Sequence, residues 1–293
     1  MAKYAIVRDD DPNFFTSAKQ LDAVYGEIFS FDVPVSSCVI PCIETGLKLK
    51  NVTFYGKNLE FEPFIPVEIR NVNEQFVLNE NHELVEYFKN SKSHLNILQH
   101  GFSHALHEFA SMNFWAVERR ILEGRKIMQQ TFNEAPNFFS APYDLYSPIS
   151  LLVLRRYFYG ATCGEIKLKT MLDNKIGVRL PLDMIPSYVK ALHEDRVFYS
   201  YGDFLMLGYS NTTRLSPFEN SVLSEQAFKK YANLHEVIVL ALHCWQFFCG
   251  EQKNVVGKTL DRKALESVIE KIQWLKSKGT KFLTMSQFYE RFC

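Results

Sequence analysis

The sequence predicts an α/β protein built on one mostly parallel barrel or a closely related closed sheet. Three observations lead there. Short apolar runs of strand length alternate with amphipathic segments of helix length along the whole chain, as in repeated β-α-β units. Polar clusters come directly after three of those runs: Asp9-Asp10-Asp11, His100 to His104, and His243. The 293 residues suffice for one large α/β barrel with a sizeable core. No repeat, linker or low-complexity stretch divides the chain, so residues 1–293 read as one domain, with an insertion or lid at about 43–80.

Taken in order, Tyr4 to Val7 reads as a buried first strand. Phe14 to Phe31 has helical periodicity, with Leu21, Val24, Tyr25 and Ile28 on one side. Pro34 to Ile40 is a second strand at βαβ spacing. Between 43 and 80, Gly46, Gly56, Pro63 and Pro66 interrupt short runs such as Asn51 to Tyr55 and Val67 to Ile69. His82 to Asn90 is helical, and Leu95 to Leu98 is a strand that delivers His100. Phe114 to Phe132 is an amphipathic helix with Val117, Ile121, Leu122 and Met128 as packing positions. Phe138 to Ser140 is a short strand, Ile149 to Tyr157 a helix and Gly160 to Cys163 another strand. Residues 165–220 resist parsing, being broken by prolines and carrying a Tyr/Phe-rich patch at Phe198 to Phe204. Ser224 to Tyr231 is a helix, Val237 to Leu242 a strongly apolar strand, Leu260 to Lys276 a helix, and Lys281 to Leu283 the last strand.

Composition limits the function. Lys plus Arg and Asp plus Glu number 33 each, and no basic tract occurs, which argues against a nucleic-acid partner. No signal peptide opens the chain and the longest apolar run, Val237 to Leu242, is too short to span a bilayer. The expectation is therefore a cytoplasmic protein with no membrane partner. Six cysteines in a chain this long read as free thiols rather than a disulfide framework. With 25 Phe and 14 Tyr, aromatic rings supply core and also walls on which a sugar can stack.

The chemistry sits at the strand ends, which in an α/β barrel face one mouth. His100 and His104 lie four residues apart. One helical turn after His100 would aim both rings at a single ion. Asp10 or Asp11 would add an oxygen, completing the two-imidazole, one-carboxylate set of a hydrolytic metal site with an open position for water. Arg8 would orient or neutralise one of these carboxylates. His243, after Val-Ile-Val-Leu-Ala-Leu, is placed to protonate a leaving group, with Trp245 as an apolar wall. His107 and Glu108 share the loop of the histidine pair and read as supporting or surface residues. The competing reading makes the aspartates a solvated turn before Phe14 and the histidines ordinary loop residues.

Together these segments resemble the polysaccharide deacetylase superfamily, the NodB-homology carbohydrate esterases of family 4 type, in a divergent bacterial branch. Val-Arg-Asp-Asp-Asp is similar to the family's first motif, Gln-His-Gly-Phe-Ser-His to its second, Phe138 to Asp144 to its third and Leu-Ala-Leu-His at 240–243 to its fifth. Phe-Leu-Thr-Met-Ser-Gln-Phe resembles the family's last strand. The resemblance implies an irregular, seven-stranded (β/α) barrel of the glycoside hydrolase and deacetylase type. It implies one divalent ion on Asp11, His100 and His104, zinc first, with cobalt, nickel or manganese as alternatives. Asp10 would be the base if Arg8 opens the motif as a threonine commonly does; a register one residue earlier would make Asp9 the base and Asp10 the ligand. His243 would be the acid, and Pro142, Tyr143 and Trp245 would line the substrate, an N-acetylated sugar or related amide or ester. Three departures stand out. The arginine that opens the third motif is replaced, at Ala141, leaving Arg8 as an alternative support for the catalytic aspartate. The fourth motif is not recognisable, with Asp173, Arg179 and Asp183 as weak candidates. An export signal is lacking. They favour, as the alternative, a catalytically weak carbohydrate-binding or accessory protein on the same fold.

Overall fold

The computed structural model describes residues 1–50, 52–54, 57–164, 181–217, 221–249 and 254–293. The first strand, β1 (Tyr4–Asp10), runs on through two of the aspartates and leads to α1 (Ala18–Phe29) and β2 (Val35–Val39). Next are two short hairpin pairs, β3 (Cys42–Glu44) with β6 (Gln75–Val77) and β4 (Val52–Phe54) with β5 (Lys57–Leu59). Then come α2 (His82–Asn90), β7 (Leu95–His100), α3 (Phe114–Phe132), β8 (Phe138–Ser140), α4 (Pro148–Leu154) and β9 (Gly160–Cys163). The remaining elements are α5 (Ile185–His193), β10 (Phe198–Tyr201), β11 (Phe204–Gly208), β12 (Arg214–Leu215), α6 (Ser221–Leu234), β13 (Val237–Leu242), α7 (Arg262–Ser277), β14 (Lys281–Phe282) and α8 (Met285–Phe292).

Ten strands form one mixed sheet in the order β10-β11-β9-β8-β7-β2-β1-β13-β12, with β14 also paired to β1. Every pairing is parallel except β10 with β11. The sheet is strongly curved, and chain length demands it. Seven inter-strand steps separate β11 from β12; in a flat sheet that is about 34 Å at about 4.8 Å per strand. The backbone from Gly208 to Arg214 reaches at most about 21 Å. The sheet must therefore bend its two margins toward each other, and residues 209–213 span the opening between them.

The expected closed, seven-stranded barrel is thus replaced, among the described residues, by an open half-barrel of ten strands. The margins explain why. One edge strand, β10, runs antiparallel, and the other, β12, is two residues long and too short to carry a ladder on its free side. The Tyr/Phe-rich patch is the β10–β11 hairpin, whose strands, Phe-Tyr-Ser-Tyr and Phe-Leu-Met-Leu-Gly, lack a clear apolar–polar alternation and so escape a period-2 reading. The rest of the parsed order holds, apart from β3, β5, β6, α5 and β12, which the sequence left unassigned, and the segment Phe282 to Phe288 likened to a last strand, of which only Phe282 is strand and Met285 to Phe288 open α8. The predicted run Asn51 to Tyr55 is described only over β4, and Gly56, Asp173 and Arg179 lie outside the described residues.

Strand alternation sorts the side chains. Ala5 and Val7 face outward and pack with Leu21, Val24, Tyr25 and Ile28 of α1 and with Leu265, Val268, Ile272 and Leu275 of α7. Each such aliphatic burial is worth about 1.5–3 kcal/mol. On α3, Val117, Ile121 and Met128 are buried, whereas Leu122 is 41% exposed and is not a packing position. Ile6, Cys38, Leu98, Phe138, Leu205, Val237 and Val239 fill the inside of the half-barrel together with Met285 and Phe288 of α8. The first turn of α8 docks on the starts of β2 and β7, its Met285 and Ser286 amides donating to Ser36 Oγ (2.9 Å) and Asn96 Oδ1 (3.1 Å). One half of the interior is therefore largely apolar and plugged, and the buried charged groups lie at the carboxyl ends of the strands. The six cysteines are free thiols, and no described helix is long and apolar enough to cross a membrane.

Gly160 lies where β9 and β11 approach closely. A Cβ there would stand 2.5 Å from the Leu205 carbonyl oxygen on β11. Gly160→Val is expected to destabilise the fold by about 1–3 kcal/mol through overpacking, read as a lower denaturant midpoint.

Candidate metal centre

The three aspartates part company at the end of β1. Alternation sends Asp9 outward, where it accepts hydrogen bonds from Tyr25 Oη (2.5 Å) and the Cys244 amide (2.7 Å). Burial, opposed by these two hydrogen bonds, pushes its pKa well above the usual carboxylate range. Asp10 points inward. Continued alternation would turn Asp11 outward again, but Asp11 adopts a left-handed backbone (φ 76°) and swings its carboxylate to the histidines. Asp9 therefore lies away from the histidines, and Asp11 is the aspartate whose carboxylate meets them.

Asp11 Oδ1 lies 3.1 Å from His100 Nε2 and 3.0 Å from His104 Nε2. Asp11, His100 and His104 are all buried and offer one ligand atom each within 4.8 Å of one another. The two rings converge without the expected helical turn. Gly101 (φ 59°) and His104 (φ 60°) are both left-handed, and the loop between them folds back. A Cβ on Gly101 would meet Pro142 Cγ at 2.6 Å and Glu108 Oε2 at 2.8 Å, so only glycine allows the bend. Glu108 braces this loop, accepting from the amides of Phe102 (3.0 Å) and Ser103 (3.1 Å). His107 is exposed.

The donor chemistry suits a divalent ion. His100 Nδ1 donates to the Ser140 carbonyl (3.2 Å) and His104 Nδ1 to Glu62 Oε1 (2.8 Å). Each ring's Nδ1–H is thereby engaged, which leaves Nε2 as the nitrogen available to an ion. Trp245 Nε1 donates to Asp11 Oδ2 (2.9 Å), so Oδ1 is the oxygen presented to the imidazoles. In a tetrahedral site with bonds of 2.0–2.1 Å, ligand atoms stand about 3.3 Å apart, close to the spacing found here. Burial disfavours charge on His104, but Glu62 and Asp11 overcome it and raise its pKa well above normal. Burial likewise opposes ionisation of Asp11, yet His104 and hydrogen bonds from both histidines hold its pKa well below normal. The centre calls for positive charge between these three groups.

Beside it lies a buried ion cluster. Arg8, fully buried, binds Asp10 through Nε–Oδ1 (2.8 Å) and Nη2–Oδ2 (2.6 Å). The same guanidinium reaches Ser140 Oγ (2.9 Å), Asp144 Oδ1 (3.3 Å) and the Cys163 carbonyl (3.4 Å). Burial pushes the Asp10 pKa up, and Arg8, with His100 and His243, brings it below its ordinary value. Burial and Asp10 raise Asp144 despite Arg8, and Tyr209 Oη donates to Asp144 Oδ2 (2.9 Å). An arginine thus supports Asp10, but from β1. Ala141 is not the position that faces it: Ala141 packs outward with Phe109, Phe139 and Tyr146, and Ser140 is the inward residue.

The structure also brings His243, Tyr143 and Trp245 to the cluster. His243 Nε2 is 3.7 Å from Asp11 Oδ2, while its Nδ1 is buried with no hydrogen-bond partner among the described residues. Burial, reinforced by Arg214 and opposed by Asp11, lowers its pKa to about 4. Tyr143 (φ 58°) lays its ring 5.0 Å from that of His104 and donates its hydroxyl to Glu62. Pro142 lies under Gly101. Trp245 is more than an apolar wall, since its indole N–H is committed to Asp11. Asp183 stays away, paired with Arg155 at the surface (3.2 Å). Glu62, Ser140, Asp144 and Tyr209 were not singled out from the sequence. Asp144 and Tyr209 come after strands β8 and β11 and obey the strand-end rule; Glu62, in the insertion, carries no such signal.

No family model and no curated protein matches the chain. Solved structures do. A proposed polysaccharide deacetylase from Mycobacterium smegmatis superposes with a TM-score of 0.55 at 11% identity, covering 99% of this chain and 91% of that one. A family 4 acetyl xylan esterase from Clostridium thermocellum, solved with a cobalt ion, gives 0.51 at 14% identity over 99% and 91%. A family 4 carbohydrate esterase from Streptomyces lividans, solved with acetate, gives 0.50 at 10% identity over 98% and 94%. At such identities the likeness shows the fold alone: the chain has the fold of the family 4 carbohydrate esterases.

Proposed function

We propose that this protein is a metal-dependent hydrolase that removes an acyl group from an N-acetylated sugar or a related amide or ester. The observation that carries the reading is the trio Asp11, His100 and His104, with Nδ1 of both rings already committed and Nε2 of both facing one carboxylate oxygen. Two imidazoles and one carboxylate favour zinc, with cobalt, nickel or manganese as substitutes. A divalent ion held there would supply Lewis acidity, making water nucleophilic near neutral pH and drawing charge from the acyl carbonyl.

Asp10, kept ionised by Arg8, accepts the proton that water releases. His243 returns a proton to the leaving nitrogen or oxygen. Its pKa near 4 keeps the resting ring neutral, so the proton it delivers is the one Asp10 took from water, passed on to it before the leaving group departs. Arg8 and Asp144 hold Asp10 in place, and Pro142, Tyr143 and Trp245 border the space available to substrate. The second reading, a catalytically weak carbohydrate-binding protein, draws on the same Arg8–Asp10 pair: with both oxygens taken, Asp10 is a poor base. Tight binding of acylated glycans without turnover across several metals would favour it.

Purified protein is expected to hold about one divalent ion per chain and to show chelator-sensitive deacylation. His104→Ala should lose both while remaining folded; a folded wild type with no affinity for divalent ions would sink the proposal. Asp10→Asn should abolish turnover with the metal retained, whereas Asp9→Asn should keep activity. Asp9 also sets a stability trend. Because its folded pKa is raised, the native state holds a proton that the unfolded chain loses above about pH 3.9. That contribution is complete below this pH and is lost as pH rises through the folded pKa, so Asp9→Asn should flatten the decline, as read by urea unfolding at several pH values. Arg8→Ala strands two buried carboxylates and is expected to cost about 3–5 kcal/mol in the same measurement.

A further inference from the structure

The chain between residues 43 and 80 contributes none of the proposed ligands, yet it reaches the centre. Its Glu62 accepts two hydrogen bonds on Oε1, one from His104 Nδ1 at 2.8 Å and one from the Tyr143 hydroxyl. Both partners of the ion pair are withdrawn from solvent, with side-chain exposures of 6% for His104 and 12% for Glu62. Two residues on, Phe64 meets the His104 ring edge-on at 5.5 Å and the Trp245 ring at 6.3 Å. The backbone carrying them is held from beneath, where Arg70 donates to the carbonyls of Ile65 (2.9 Å) and Pro63 (3.3 Å). The insertion therefore delivers one carboxylate, on a braced loop, to the back of one imidazole.

We propose that Glu62 is the positioning residue for His104, holding the Nδ1 proton so that Nε2 is the ligand atom, and thereby making metal affinity depend on the insertion. The proposal rests on the metal-centre reading above. The two histidines are not equivalent in this respect. His100 is a strand residue backed by a neutral main-chain carbonyl, whereas His104 sits in a left-handed loop position and is backed by a carboxylate. A carboxylate behind an imidazole raises its basicity as well as fixing its tautomer. The histidine that lies outside the sheet is thus the one given the charged partner.

The test is cobalt titration of the full chain, monitored by calorimetry and by the visible absorption of the bound ion, with wild type, Glu62→Leu, Glu62→Gln and Glu60→Ala. Glu60 lies on the same segment but pairs with Lys48 at the surface, away from the centre. Glu62→Leu is expected to weaken cobalt binding about 10- to 100-fold. Glu62→Gln should lose less, because an amide oxygen still accepts the Nδ1 proton, and Glu60→Ala should bind as wild type does. In the zinc-loaded protein, where the ion rather than a proton occupies Nε2, the ¹⁵N shifts of the His104 ring should report Nδ1–H in wild type and a mixture of Nδ1–H and Nε2–H rings in Glu62→Leu. Equal affinity and unchanged His104 shifts in wild type and Glu62→Leu would overturn the role of Glu62 and leave the metal reading standing. Failure of wild type to bind any divalent ion would remove the metal reading and this proposal with it. Should Glu62→Leu not fold, Glu62→Gln carries the same two readouts: a weaker affinity or an altered His104 shift supports the role, and neither overturns it.

Discussion

A single buried guanidinium holds the functional end of this molecule together. Arg8 lies on β1, three strands away from β8, and still bonds Asp10 beside it, Ser140 at the end of β8, the carbonyl of Cys163 at the end of β9 and Asp144 just past β8. Only a curved sheet brings those strand ends within the reach of one side chain. A buried charge is tolerable when its partners are all present and costly when one is missing. Curvature, strand register and the orientation of Asp10 are thus constrained at the same place, by a residue that is 2% exposed.

The same curvature divides the interior in two. Toward the amino ends of the strands, aliphatic and aromatic side chains pack against α8; toward the carboxyl ends, the charged residues gather. Left-handed backbone concentrates in the second half, at Asp11, Gly101, His104, Tyr143 and Asp144. Each departs from the regular alternation of a strand or the regular turn of a helix, and each aims a side chain, or clears space for one, where regular geometry would not. Strained backbone is retained where the surrounding structure over-determines it, and here the bracing is visible in Glu108, Trp245 and Arg8.

Much of this is legible in the sequence. Parallel strands of four to seven residues capped by Asp or His put Asp10, Asp11, His100 and His243 at one mouth, because the strand-end rule needs only an apolar run and the polar residue at its carboxyl end. The same rule reaches Tyr209 once Phe204 to Gly208 is taken as a strand. The illegible part depends on geometry that periodicity does not encode. Two consecutive inward carboxylates at Asp10 and Asp11 require a positive φ, and an alternating pattern cannot distinguish that from the register using Asp9. The number of strands and the failure to close stem from the antiparallel β10, whose aromatic run shows no direction or pairing, and the two-residue β12, too short to carry a hydrophobic signal. Glu62 is hidden because its partner is 42 residues away and its neighbours are loop.

Charge links these features. Asp10, Asp11, Asp144 and Glu62 converge, and among them Arg8 answers mainly Asp10 and Asp144. Asp11 and Glu62 are left to His104, which lies between them and whose pKa they raise. A proton on His104 satisfies that demand only in part, because it leaves two Nε2 atoms crowded on one oxygen of Asp11. A divalent cation at the same point would be shared by both Nε2 atoms and Asp11, and would leave each Nδ1–H where Ser140 and Glu62 already accept it. The hydrogen bonds on the far side of each ligand are therefore those that a metal would require, and they are formed by parts of the chain as different as a strand end and an inserted loop.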